Sequence, residues 1–237
     1  MIRFILLDIE GTTTDIHFVH NVLFPYSAER LPAYVKQNAD NPLVQEALQS
    51  VHQTVQAEEG QNIDQAKAIE VLLNWIQQDR KHTALKQLQG MIWKEGFEQR
   101  HYRGHVYEEV PRALQNWKRK GIHLGIYSSG SIQAQKLLFG YSSAGDLTPF
   151  FSHYFDTQIG PKREVDSYRK IVAELNLAPI EVLFISDTEA ELDAARLAGL
   201  QVIQIVRDGT TPCPKYQQAR TLLAIEQKTE IPLPGGF

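Results

Sequence analysis

The chain has 237 residues, 43% of them hydrophobic and 22% charged, with Lys+Arg 24 against Asp+Glu 28 for a formal net charge of -4. These proportions belong to an ordinary globular protein with material for a sizeable core, and they exclude collagen-like and low-complexity classes. Mild acidity argues against a broad nucleic-acid footprint, which needs a basic surface. The single cysteine, Cys213, rules out an internal disulfide and fits a reducing, cytoplasmic compartment. No apolar run reaches the ~7–15 residues of a secretory core or the ~20 of a membrane span, so neither export nor a membrane partner is expected.

Residues 2–9 predict a strand. Ile2, Phe4, Ile5, Leu6 and Leu7 form a nearly continuous apolar run, as a strand buried on both faces requires. It ends in Asp8-Ile9-Glu10-Gly11-Thr12, where the glycine permits a sharp turn. From about His17 to Arg100 only helical periodicity appears. Val19, Val22, Leu23 and Tyr26 share one face, as do Leu43, Val44, Ala47, Leu48 and Val51. Ala68, Ile69, Leu72, Leu73 and Ile76 form a third stripe, and Leu85, Leu88, Ile92 and Trp93 a fourth. Pro42 suits the first turn of its helix.

Alternation begins after His105. Glu108–Lys120 predicts a helix with Leu114 and Trp117 inward, cations in its last turn, and Gly121 as its C-terminal cap. Ile122–Tyr127 predicts a second strand, followed by Ser128-Ser129-Gly130 and a helix from about Ser131. Tyr154–Thr157 is a short third strand and Glu164–Leu175 a helix. Val182–Ile185, Glu189–Ala198 and Val202–Val206 read as strand, helix, strand. The tail after Asp208, with Pro212, Pro214, Pro232 and Pro234, is expected to be extended. Strands alternating with helices imply right-handed crossovers and a mainly parallel sheet. The architecture is thus an α/β core split after its first strand by a helical insertion.

Ligands bind beyond the carboxyl ends of strands in such sheets. The fold rule brings four polar strand ends to one edge: Asp8 and Glu10; Ser128 and Ser129; the loop bearing Lys162; and Ser186 with Asp187. Clustered carboxylates repel one another, and a hard divalent cation such as Mg2+ relieves that repulsion. Lys162 and the Ser128 hydroxyl suit an anion such as phosphate. A site with both halves suits phosphoryl transfer. Asp8 would be the nucleophile, and Glu10 would protonate the leaving oxygen and later activate water.

Simpler roles compete for some of these residues. Asp8 alone is equally a turn residue, Ser129 and Ser131 start a helix, and Lys162 beside Arg163 reads as a solvated pair. Thr188-x-x-Glu191 reads as a capping box for the helix at Glu189, in preference to an indirect role through metal-bound water. His17 and His20 lack a third ligand, and Cys213 between two prolines has no basic partner nearby. Phosphate-loop, dinucleotide and nucleophile-elbow motifs are missing.

On these residues the chain resembles the haloacid-dehalogenase superfamily of phosphohydrolases. Its four motifs stand in order as Asp8-Ile9-Glu10-Gly11-Thr12, Ser128, Lys162 and Ser186-Asp187, and the insertion sits where members carry a cap. The resemblance implies a Rossmann-like doubly wound parallel sheet, residues 1–15 plus 106–237, with a helical cap, residues 16–105. Glu10 departs from the usual second aspartate. With the segments Phe18–Tyr26, Ile126–Ser131, Gln135–Gly140 and Ser167–Ile171, it makes the chain similar to the enolase-phosphatase branch of methionine salvage. That likeness implies a bifunctional enzyme that enolises and then dephosphorylates 2,3-diketo-5-methylthiopentyl-1-phosphate. It implies Mg2+ held by the Asp8 carboxylate, the Glu10 backbone carbonyl or side chain, and Asp187, phosphate held by Ser128, Ser129 and Lys162, and a monomer. Phe18, Leu23 and Phe24 are candidates for the methylthio tail, though cap core is the plainer role for each. The alternatives are a general capped phosphatase for sugar phosphates, a dehalogenase, and an inactive partner-binding scaffold.

Overall fold

The computed structural model describes residues 1–228, and Pro232 and Pro234 lie outside the described residues. Among the described residues, a six-stranded sheet runs in the order β3-β2-β1-β4-β5-β6. Its strands are β1 Phe4–Leu7, β2 His123–Tyr127, β3 His153–Phe155, β4 Val182–Ser186, β5 Gln201–Ile205 and β6 Gln218–Ala219, with every neighbouring pair parallel. All four residues of β1 are buried, as its unbroken apolar run requires of a central strand covered on both faces. Leu7 pairs with Ile126 on one side and Ile185 on the other, so β1, β2 and β4 end at one level. The strand order reverses beside β1, which makes this edge the topological switch point.

The chain divides into two compact units, Met1–Ile16 with Arg103–Phe237, and His17–Tyr102. In the first unit, the sheet is joined by the helices α6 Val110–Arg119, α7 Ile132–Gly140, α8 Val165–Leu175, α9 Glu189–Leu197 and α10 Leu222–Lys228. Phe4, Leu6, Tyr127, Tyr168, Ile171, Phe184 and Leu192 share one core, which also takes in Cys213. Gly121 adopts φ +73° just past α6, the left-handed conformation a glycine cap supplies. The tail after Asp208 is not simply extended. It returns to the sheet as β6 and then forms α10, because Ala219, Leu222 and Ile225 have a core to enter.

In the second unit, α1 Ile16–Phe18 precedes the long helices α2 Phe24–Gln37, α3 Pro42–Glu59, α4 Gln65–Gln77 and α5 Thr83–Glu98. Leu31, Val35, Val44, Val51, Leu72, Leu85, Leu88 and Ile92 form their core. Leu43 leaves the predicted stripe: it is 50% exposed in the first turn of α3, where Asn41 accepts from its N–H at 3.0 Å. Val19–Leu23 is a π-helical turn where the periodicity predicted plain α-helix. The Phe24 N–H donates to the Val19 carbonyl, and Pro25 has no N–H to continue a regular ladder. Trp93 donates its indole N–H to the Leu23 carbonyl at 2.8 Å. No described helix is long and apolar enough to cross a membrane.

Candidate active site

The turn after β1 folds on its own carbonyls. The N–H groups of Thr12, Thr13 and Thr14 converge on the Ile9 carbonyl at 3.1, 2.9 and 2.9 Å, and the Gly11 N–H donates to the Thr14 carbonyl at 2.8 Å. Gly11 sits at φ +68°, and a Cβ there would lie 2.3 Å from Asp187 Oδ2. Only glycine satisfies both the left-handed backbone and the approach of that carboxylate.

Asp8 is buried at the carboxyl end of β1. Its Oδ1 accepts from the Lys162 ammonium and, at 2.7 Å, from the Ile9 N–H; its Oδ2 accepts from the Ser186 hydroxyl at 3.3 Å. Lys162 comes from the loop before α8, and Tyr168 fixes that loop by donating to the Lys162 carbonyl at 2.7 Å. The far side of the ammonium meets Glu191 Oε2 at 2.7 Å. Glu10 accepts from the Ser128 hydroxyl at 3.3 Å, and the Gly130 N–H holds that hydroxyl in turn at 3.1 Å. Asp187 accepts from the Thr188 hydroxyl at 3.0 Å. The structure thus gathers Asp8, Glu10, Ser128, Lys162 and Asp187. Ser129 follows Ser128 in the loop after β2, and Ser131 caps α7 by accepting from the Ala134 N–H at 3.3 Å.

Two expectations change. Lys162 is no solvated loop residue, since its side chain is 6% exposed between two carboxylates. Glu191 does not close a capping box. The Thr188 N–H that such a glutamate would accept donates instead to the Ser186 hydroxyl at 3.1 Å, and Glu191 turns to Lys162 and, at 3.0 Å, to Ser186. Glu191 and Tyr168 therefore belong to the site, where sequence reasoning prefers a cap for Glu191 over an indirect role and gives Tyr168 no place. The available signals were the one-turn spacing of Glu191 from Asp187 and the segment Ser167–Ile171.

Four carboxylates, Asp8, Glu10, Asp187 and Glu191, surround one ammonium. Burial, then the charge of Asp8, pushes Asp187 up to about 6 and Glu191 up to about 7. The same two causes raise Glu10 above its ordinary value. Burial disfavours the charge on Lys162, but Asp8 and Glu191 outweigh it and hold the ammonium protonated well above its usual range. This excess of negative charge, presented on hard oxygen donors, fits a divalent cation. Among the described residues no three acidic, histidine or cysteine side chains already form a metal cage. Mg2+ needs none, because it takes one or two carboxylates and completes its shell with water and phosphate.

Comparison with known proteins agrees with this geometry. Residues 2–199 match the model of the haloacid dehalogenase-like hydrolases. The chain is 47% identical to enolase-phosphatase E1 of Erwinia tasmaniensis, covering 96% of this chain and 98% of that protein. It is 51% identical to enolase-phosphatase E1 of Pseudomonas fluorescens, covering 88% and 90%. The UTR4 protein of Saccharomyces cerevisiae superposes with a TM-score of 0.78 at 34% identity, over 93% of this chain and 98% of that one. The L-2-haloacid dehalogenase of Xanthobacter autotrophicus shares the fold alone, with a TM-score of 0.56 at 17% identity over 96% and 98%. By the matched core, the Asp8-to-Asp187 site and full-length identity near one half, the chain belongs to the haloacid dehalogenase-like hydrolases and, within them, to the enolase-phosphatase E1 family.

Proposed function

We propose that the chain converts 2,3-diketo-5-methylthiopentyl-1-phosphate to 1,2-dihydroxy-3-keto-5-methylthiopentene and phosphate, by enolisation followed by hydrolysis, as a Mg2+-dependent cytoplasmic monomer. The observation that carries this reading is the Asp8 carboxylate gripped by Lys162 and Ser186, with a glutamate of suppressed acidity two residues on.

Asp8 attacks phosphorus. Lys162, Ile9 N–H and Ser186 hold its carboxylate in one orientation, which converts much of the entropic barrier into folding energy. Ser128, Ser129 and Lys162 bind the phosphate oxygens. Glu10, raised in pKa, carries the proton to the leaving oxygen as the ester bond breaks. As a carboxylate it then takes a proton from the water that cleaves the aspartyl phosphate. Mg2+, held by the Asp8 and Asp187 carboxylates and the Glu10 backbone carbonyl, would neutralise charge on the phosphate and polarise the substrate's carbonyl oxygens. Glu10 is one methylene longer than aspartate, and that reach serves proton transfer in enolisation as well.

The helical insertion, residues 16–105, is the proposed cap that selects the substrate. Phe18 and Phe24 remain candidates for the methylthio tail, whereas Leu23 is spent in core packing at 6% exposure. The test is anaerobic conversion of the diketo phosphate with Mg2+, following enol absorbance and released phosphate together. A transient enol followed by phosphate is expected. Phosphate release from simple esters with no enol would reduce the protein to a general capped phosphatase. Parental rates of both half-reactions in Glu10→Asp would refute the role given to the longer side chain.

A further inference from the structure

Arg207 lies just past β5, far along the chain from Glu10, and its side chain is 7% exposed. Its Nη2 and Nε both donate to the Thr12 carbonyl, at 2.8 and 3.3 Å. Nη2 also meets Glu109 Oε1 at 2.6 Å, Nη1 donates to the Arg220 carbonyl at 3.0 Å, and the guanidinium lies 3.9 Å over the Tyr107 ring. The Ile9 carbonyl closes the Glu10–Thr14 turn from within, and Arg207 grips the same turn from outside. The carboxyl of the glutamate in that turn is held by a long 3.3 Å bond from Ser128 and by the Glu10 backbone N–H itself. Its position therefore depends on the backbone that carries it.

We infer that Arg207, oriented by Glu109, is a positioning residue for Glu10: its two-pronged grip on the Thr12 carbonyl sets the turn so that the Glu10 carboxyl reaches the leaving oxygen. Planar guanidinium geometry is what this requires, since a lysine keeps the charge against Glu109 but supplies no fork. The inference rests on Glu10 being the proton donor in the proposed reaction. A misplacement of order 1 Å costs a catalytic group about 100-fold.

The leaving group provides the test. p-Nitrophenyl phosphate expels a stable phenolate that needs no proton, whereas benzyl phosphate expels an alkoxide that does. kcat/KM reports only the steps through leaving-group departure, so later water attack drops out. In Arg207→Lys the loss in kcat/KM on benzyl phosphate is expected to exceed the loss on p-nitrophenyl phosphate by about 30-fold or more. Glu10→Gln should show the same preference for the good leaving group. If Arg207→Lys falls equally on both esters, or on neither, while Glu10→Gln discriminates, Arg207 is only structural and the inference fails. If Glu10→Gln itself does not discriminate, the proton-donor reading of Glu10 fails first. The double variant Arg207→Met with Glu109→Gln, which leaves no unpaired charge, repeats the test should the lysine variant not fold.

Discussion

Lys162 Nζ stands 2.7 Å from Glu191 Oε2, and the same ammonium holds the buried carboxylate of Asp8. One cation thus compensates two acids, in side chains that are 6%, 4% and 12% exposed. Removing it leaves both charges without a cation. Lys162→Met is expected to abolish turnover and to lower stability by about 3–5 kcal/mol, read from urea unfolding. Adding Glu191→Gln should recover part of that stability and none of the activity. Equal stability in the two variants would show that Glu191 carries no burden from the lost charge.

The close approach of Gly11 to Asp187 leaves no room for a methyl group. Gly11→Ala places a Cβ 2.3 Å from Asp187 Oδ2 on a backbone at φ +68°. The left-handed conformation alone costs about 1–2 kcal/mol, and the displaced carboxylate should lower activity by about 100-fold or more. Thermal unfolding and steady-state rates on one preparation separate the two effects. An active Gly11→Ala would mean that Asp187 need not stand where it does.

The contribution of Asp187 and Glu191 to stability without metal should fall as pH rises from about 4 to about 7. Asp187 goes from 3.8 to about 6 and Glu191 from 4.5 to about 7, so the folded state binds more protons than the unfolded chain across that window. Deprotonation of the two acids is therefore resisted by the fold, and a divalent cation should offset that penalty. Mg2+ is expected to raise the midpoint of thermal unfolding more at pH 7.5 than at pH 5.0, where protons compete for the same oxygens. A larger gain at the lower pH would reverse the sign and count against Asp187 as a ligand.

Trp93 stabilises the π-helical turn by donating to the Leu23 carbonyl at 2.8 Å while stacking on Phe24. Trp93→Phe keeps most of the ring packing and removes that hydrogen bond. A loss of about 0.5–1.5 kcal/mol in unfolding free energy is expected. No loss would show that the wider turn persists by virtue of Pro25 alone.

Much of the core was legible without coordinates. The apolar run at β1 announces a strand buried on both faces, those at β2 and β4 announce further strands, and helices between them dictate parallel order. The rule that sites lie at strand carboxyl ends then draws Asp8, Ser128 and Asp187 to one edge. Sequence alone could not separate two uses of one spacing. Thr188-x-x-Glu191 is the pattern of a capping box and equally of an acid aimed at the sheet edge. Only the arrival of Lys162 and the engagement of the Thr188 N–H by Ser186 decided between them.

Contacts made across long stretches of chain were closed to sequence reasoning for the same reason. Periodicity and motif spacing determined the strand order class, the helical insertion and the acidic residues that meet at β1, because these follow from short-range geometry repeated along the chain. Tertiary structure decided that the tail returns as β6 and α10, that Glu191 faces Lys162, and that Arg207 reaches Thr12. A buried charge takes whichever partner the fold brings within hydrogen-bonding distance, and that partner lies at no characteristic separation in sequence.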